Sequence, residues 1–144
     1  MYLESEHSLP QRTGRILVVD DDPDIRSLTR TFLEHEGHTV YLSGDPDRAT
    51  HIFRRSPGID LLIADYSLPQ RSGLDLAREL TMLSPSLRVL IISGAILPSL
   101  HSDRIALQGW KILTKPFSLP ALLAEVHKIL APDPYAGSSA TLIA

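Results

Sequence analysis

Ile16-Leu17-Val18-Val19-Asp20-Asp21-Asp22-Pro23 is the stretch that decides how the rest of the chain is read. Four apolar residues in a row, with no polar alternation, suit a strand covered on both faces, as in a parallel sheet flanked by helices. The run stops at three acids and a proline. Asp22 can cap a helix, Pro23 suits its first position and Gly37 can end it. Ile25, Leu28, Phe32 and Leu33 fall at helical spacing between these marks and form its expected buried stripe. One helix needs one cap, so Asp20 and Asp21 are left over for another purpose.

The same unit recurs outward from this stretch. His38 to Ser43 reads as a second strand, and Asp45-Pro46 repeats the cap-and-proline device before a helix buried through Ala49, Ile52 and Phe53. Ser56-Pro57-Gly58 breaks that helix. Leu61 to Ala64 is a third strand and again ends in an acid, Asp65. Leu76, Ala77, Leu80 and Leu83 mark a third helix, and Val89 to Ile92 a fourth buried strand. A weaker helix follows, with Leu100, Ile105 and Leu107 as its apolar residues and Pro98, Ser99, Ser102 and Gly109 as its breakers. A fifth strand lies around Trp110 to Leu113. Ser118 caps the last helix, whose core positions are Leu122, Leu123, Val126, Ile129 and Leu130. Five βα units with short connections imply a parallel sheet with helices on both faces. Such sheets bind ligands beyond the carboxyl ends of their strands, where the strand order reverses.

The bulk properties narrow the class. The 144 residues are 43% hydrophobic and 22% charged with a net charge of −3, which fits one globular domain with no dominant basic surface for nucleic acid. There is no cysteine, so disulfides, thiolate zinc and a cysteine nucleophile are excluded. The apolar runs are too short to span a bilayer. Glu4 and Glu6 sit where a secretory signal needs positive charge, and the cytoplasm is expected. Residues 1–14 read as a flexible leader, 15–131 as the folded domain and 132–144 as a flexible tail. The six histidines are scattered; His35 and His38 straddle a helix end without companion ligands, and surface roles are expected for them.

The polar residues at the strand ends form a constellation. Asp20 and Asp21 follow strand one, Asp65 ends strand three, Ser93 ends strand four, and strand five runs into Lys115-Pro116. Singly, each has an ordinary explanation as a cap, turn residue or solvated lysine. Together, at four strand ends, they point to one site. Like charges about 4 Å apart cost roughly 1 kcal/mol in water and about 4 kcal/mol at an effective dielectric of 20, so three carboxylates in one crevice call for a cation. An oxygen-only donor set suits Mg²⁺, or Mn²⁺ in its place. A carboxylate can take up a phosphoryl group as an aspartyl-phosphate. Asp65, which stands alone, is the nucleophile candidate, and Asp20 and Asp21 are the metal candidates. Lys115 offers a point charge and Ser93 a hydrogen bond to phosphate oxygens.

These residues resemble the receiver domains of two-component response regulators. The resemblance runs from Arg15 to Leu130 and is carried by Ile16–Asp21, by Asp65 with Leu68-Pro69 and Ser72-Gly73-Leu74, by Ile91–Gly94, and by Thr114-Lys115-Pro116-Phe117. It implies a flavodoxin-like, CheY-like fold: one doubly wound five-stranded sheet in order 2-1-3-4-5 with five helices. It further implies that Asp65 is phosphorylated by a histidine kinase or a histidine phosphotransfer protein. Asp20, Asp21 and Asp65, with the backbone carbonyl of Ser67, would hold Mg²⁺. Ser93 would move to bond the phosphoryl group, Lys115 would pair with it, and the Lys115–Pro116 bond would be cis. The position three before the lysine usually carries an aromatic switch residue; here it is Ile112. Trp110 lies two residues earlier on the same strand face and is expected to supply part of the readout, against the plainer reading of a packed edge-strand tryptophan. Ser67 and Ala95 flank the expected phosphoryl position and are small enough to admit water. The helix after strand four, the last strand and the last helix are the expected output face, and the kinase is expected to dock near the first helix.

Two rival functions stand beside this one. The first is a phosphorylation-independent interaction module of the same fold, which would have no use for the full acid–serine–lysine set. The second is a small phosphohydrolase with an aspartate nucleophile, which resembles a DxDxT pattern that Asp20-Asp21-Asp22-Pro23 does not match. The expected molecule is therefore a signalling domain and no turnover enzyme, a monomer or weak homodimer without direct nucleic-acid or membrane contact, acting on an unidentified protein target.

Overall fold

The structure is a computed structural model, and it describes residues 13–94 and 104–132. The elements run β1 (Arg15–Val19), α1 (Pro23–His35), β2 (Thr39–Ser43), α2 (Pro46–Arg55), β3 (Leu61–Asp65), α3 (Gly73–Leu83), β4 (Arg88–Ser93), the helical residues 104–107 as α4, β5 (Lys111–Thr114) and α5 (Leu119–Leu130). The five strands form one parallel sheet in the order β2-β1-β3-β4-β5. The reversal of strand order falls between β1 and β3.

Alternation along these strands builds two cores. Leu17, Val19, Leu62, Ala64, Val89 and Ile91 point to one face, covered by Ala49 of α2, by Leu76, Ala77 and Leu80 of α3, and by Ile105 and Trp110. Ile16, Val18, Leu61, Ile63, Leu90 and Ile92 point to the other, covered by Leu33 of α1 and by Leu122, Val126 and Leu130 of α5. Both faces of the central strands are thus dry, which is why they read as unbroken apolar runs.

The helix starts follow the capping chemistry. Asp22 accepts from Asp24 N at 2.9 Å and Ile25 N at 3.4 Å with Pro23 next, and Asp45 accepts from Arg48 N at 2.8 Å with Pro46 next. Ser72 and Ser118 accept from Asp75 N and Ala121 N, both at 3.1 Å. Gly37, at φ +97, turns the chain out of α1.

Several expectations need correcting. β2 begins at Thr39 rather than His38, and β5 is Lys111–Thr114, one residue later than expected. Leu28 is 50% exposed because it lies at the rim of the α1 stripe, and Thr29 is buried in its place. Leu83 is exposed at the end of α3, where Leu87 from the following turn closes the core instead. Leu107 is also exposed, on the side of α4 away from Ile105. Leu100, Pro98, Ser99, Ser102 and Ala95 lie outside the described residues, as does nearly all of the expected leader and tail.

His38 is no bland surface residue. It is half-buried, and its Nδ1 accepts from Gly14 N at 3.0 Å, while Thr39 N donates to Gly14 O at 3.0 Å. Burial lowers its pKa, Glu36 opposes this and His127 adds to it, for a net fall below the ordinary 6.5. A depressed histidine contributes stability that is complete above about pH 6.5 and is lost as pH falls through the lower folded-state value. Melting temperature is therefore expected to drop between pH 7 and pH 5, and the drop to shrink in His38→Asn. An identical pH slope in the variant would show that this histidine carries none of it.

Candidate functional site

The site lies at the carboxyl edge of the sheet, at the reversal beside β1. Register does the placing. Val19 pairs with Ala64 and Asp65 with Ile92, so Asp20 leaves β1 beside the end of β3, and Ser93 ends the next strand opposite Thr114. Lys115 follows at once, and its backbone N donates to Ser93 O at 2.7 Å. Four separate segments deliver their polar groups to one crevice.

Carboxylate oxygens of Asp20, Asp21 and Asp65 lie within 4.8 Å of one another. Asp20 and Asp65 are buried and Asp21 is exposed at the mouth. Lys115 Nζ donates to Asp65 Oδ2 at 2.7 Å and stands 4.0 Å from Asp20 Oδ2. The other oxygens are also engaged: Asp65 Oδ1 accepts from Ser67 N and Asp20 Oδ1 from Asp22 N, each at 2.9 Å. Ser93 is buried, and the Lys115–Pro116 bond is cis.

The charge states follow from these neighbours. Burial raises the Asp20 pKa; the bond from Asp22 N and the Lys115 charge offset part of this, while Asp65 and Asp21 push it higher, for a net rise. Burial works against the Lys115 charge, yet the hydrogen bond to Asp65 and the fields of Asp65, Asp20 and Asp21 outweigh it, so its pKa ends up raised. One ammonium thus faces three carboxylates, and the crevice keeps an excess of negative charge that a divalent cation would cancel. The donor set fits Mg²⁺: three carboxylates from Asp20, Asp21 and Asp65, hard oxygens throughout, with Asp21 and Ser67 exposed at the open side.

The fold also explains the glycine after Ser72. A Cβ on Gly73 would stand 2.2 Å from the carbonyl oxygen of Asp65, so only glycine lets the start of α3 pass over the end of β3. Gly73 N then donates to Tyr66 O at 2.9 Å and Tyr66 N to Ile92 O at 2.7 Å, closing the loop that carries Ser67.

Two expected residues lie away from the crevice. The register sets Ile112 beside Ile91, and it is 36% exposed on the edge strand. Trp110 precedes β5 and is packed in the same core cluster as Ile91. Sequence reading missed Arg26, whose guanidinium donates to the Asp20 carbonyl at 2.6 Å and fixes the turn between β1 and α1. Gly44 makes room for it, since a Cβ there would lie 2.8 Å from Arg26 Nη1. Nothing in spacing or composition singles out that arginine, because its partner is a backbone atom.

Comparison with known proteins gives a consistent result. Residues 16–127 match the family model described as the response regulator receiver domain. The chain is 34% identical over 116 residues to the response regulator receiver protein CpdR of Brucella abortus, covering 81% of this chain and 96% of that protein. It is 32% identical over 131 residues to the response regulator MprA of Mycolicibacterium vanbaalenii, covering 89% of this chain but 56% of that protein, so it spans little more than half of that relative. Among solved structures, a CheY-like response regulator receiver domain protein from Methanospirillum hungatei superposes with a TM-score of 0.75 at 25% identity, over 82% of this chain and 94% of that one.

If excess negative charge is what strains the crevice, removing one carboxylate stabilises the metal-free protein. Asp20→Asn is expected to raise its melting temperature by about 4 °C, as a gain of roughly 1 kcal/mol would. Mg²⁺ is expected to raise the melting temperature of the native chain and to do much less for the variant. Two curves that ignore both changes would count against the charge argument.

Proposed function

The chain belongs to the response-regulator receiver family, and from that premise we propose that Asp65 is its phosphoacceptor, taking a phosphoryl group from a histidine kinase or a histidine phosphotransfer protein. Receiver domains are signalling domains that work with histidine kinases and downstream targets. The observation that carries the assignment is the buried Asp65 carboxylate, 2.7 Å from Lys115 Nζ and grouped with the Asp20 and Asp21 carboxylates at the open edge of the sheet.

Chemically, a carboxylate oxygen of Asp65 attacks phosphorus, the phosphorus–nitrogen bond of the donor phosphohistidine breaks, and the imidazole keeps the electron pair. Asp20, Asp21, Asp65 and the Ser67 carbonyl would hold Mg²⁺, which supplies charge neutralisation and orientation to the transferring group. Ser67 N, which now donates to Asp65 Oδ1, orients the carboxylate. Lys115 exchanges its carboxylate bond for a phosphoryl oxygen, and the Ser93 hydroxyl bonds another. In this reading the molecule acts as a switch rather than as a turnover enzyme.

Phosphorylation adds about −1.5 to −2 charges at pH 7. Drawing in Ser93 and Lys115 shifts the ends of β4 and β5 together, because Lys115 N is bonded to Ser93 O. The output face in this reading is α4, β5 and α5, where Leu107 and Ile112 stand exposed. With no aromatic ring at Ile112, Trp110 supplies part of the readout from the core beneath β5. The donor docks beside α1. There an apolar groove of about 530 Å³, lined by Ile25, Leu28, Thr29, Phe117 and Leu119, opens next to Lys115. Residues 15–131 form the receiver unit. It works as a monomer or weak homodimer, without nucleic acid or membrane, in the cytoplasm, where ATP-charged kinases present phosphohistidine. No helix among the described residues is long and apolar enough to cross a membrane.

Incubation with acetyl phosphate and Mg²⁺ is expected to add one phosphoryl group by intact mass, absent in Asp65→Asn and without Mg²⁺. Leu28→Glu is expected to accept from acetyl phosphate at the native rate but from a phosphohistidine protein at least about tenfold more slowly, as loss of a central apolar contact would cause. Phosphoryl uptake by Asp65→Asn would remove the assignment, and equal loss with both donors would remove the docking groove. Indole fluorescence of Trp110 is expected to change in step with phosphorylation; an unaltered spectrum in fully phosphorylated protein would leave Trp110 a packing residue only.

A further inference from the structure

The loop that carries Ser67 contains a strained turn. Arg71 N donates to Pro69 O at 2.8 Å, closing a three-residue turn whose central residue, Gln70, has φ +73. Turns of this kind with a positive central φ are rare and unfavourable, and a residue other than glycine keeps such a backbone only where its surroundings impose it. It is the one non-glycine residue with positive φ among the described residues.

The residue that closes the turn is also the one that is anchored. The Arg71 guanidinium pairs with Glu79 Oε1 of α3 at 2.6 Å through Nη1. Through Nη2 it reaches Thr50 Oγ1 at 3.3 Å and Asp47 Oδ1 at 3.5 Å, both on α2. Glu79 Oε1 and Thr50 Oγ1 are themselves 3.3 Å apart, so the two helices and the loop meet at a single group. The planar fork spreads its donors over acceptors on both helices, a spread that the compact ammonium of a lysine matches less well. At its ends the loop is held by backbone bonds, Tyr66 N to Ile92 O and Gly73 N to Tyr66 O. Between them Arg71 supplies the charged anchor.

We propose that Arg71 is a positioning residue for phosphoryl acceptance. By clamping the strained turn to α2 and α3 it sets where the Ser67 carbonyl and Ser67 N stand relative to Asp65, and hence how tightly Mg²⁺ is held. This rests on the assignment of Asp65 and Ser67 made above, and adds to it a network that touches neither the metal position nor the phosphoryl group.

The test measures, on the full chain, the Mg²⁺ concentration giving half-maximal phosphorylation by acetyl phosphate, and separately the Mg²⁺ concentration giving half of the rise in melting temperature. Arg71→Met is expected to raise both several-fold, up to about the tenfold that is the least cost of losing a group bonded directly to a metal ligand. Glu79→Gln is expected to do the same in part, and the double variant to be no worse than Arg71→Met alone, because both cut one network. Arg71→Lys should fall between Arg71→Met and the native chain. Adding Gln70→Gly to Arg71→Met is expected to recover most of the loss, since glycine holds a positive φ without strain; a merely structural role for Arg71 would show no such rescue. Native Mg²⁺ dependence in folded Arg71→Met and Glu79→Gln overturns the proposal. A native chain that binds Mg²⁺ but takes up no phosphoryl group overturns the functional reading instead, and the melting series still decides the role of Arg71.

Discussion

Two buried carboxylates facing one lysine at the edge of a parallel sheet is the arrangement on which the molecule depends. Asp20 and Asp65 are almost wholly out of solvent, and Lys115 answers both while bonding only Asp65 closely. Such a cluster is costly to assemble, because burial penalises every charge in it and the acids repel one another. It persists because the sheet beneath it is apolar on both faces and stable enough to hold polar groups in an unfavourable place. The core stabilises the fold; the site strains it. In the proposed function, that imbalance is what lets a cation or a phosphoryl group change the protein.

The surroundings of the crevice are built from backbone as much as from side chains. Ser67 N orients Asp65, Asp22 N orients Asp20, and Arg26 grips the Asp20 carbonyl. Gly73 lets α3 begin against the Asp65 carbonyl. Each of these fixes a carboxylate or the backbone that carries it, which makes the geometry sensitive to changes in loop path. The bond from Lys115 N to Ser93 O links the last two strands at the point where a new charge would act. A shift of one strand end is therefore felt by its neighbour, and so by the exposed edge at Ile112.

Local chemistry made much of this legible. The caps at Asp22, Asp45 and Ser118 satisfy helix N–H groups within three residues, and such short-range bonds are written in sequence. The unbroken runs at β1, β3 and β4 announced burial on both sides. The errors arose where the outcome depended on distant partners. Leu28 and Leu83 have the residue type and spacing of core positions, but whether a rim position is covered depends on what packs over it. At the end of α3 that covering residue is Leu87. His38 looked like a surface histidine because its partner, the N–H of Gly14, lies just before β1, far away in the chain, and carries no side-chain signal.

The sequence by itself determined the alternation of strands and helices, the parallel sheet, and the identity of the acids, serine and lysine at its carboxyl edge, because burial on two faces and helix capping are properties of short segments. Only the tertiary structure decided which of those groups meet. The 2.7 Å bond between Lys115 and Asp65 joins residues 50 apart in the chain and depends on strand order and register. The Arg71 network likewise joins a loop to two helices through contacts that no local pattern encodes. Register turns separate residues into a site, and register is set by the packing of the whole sheet.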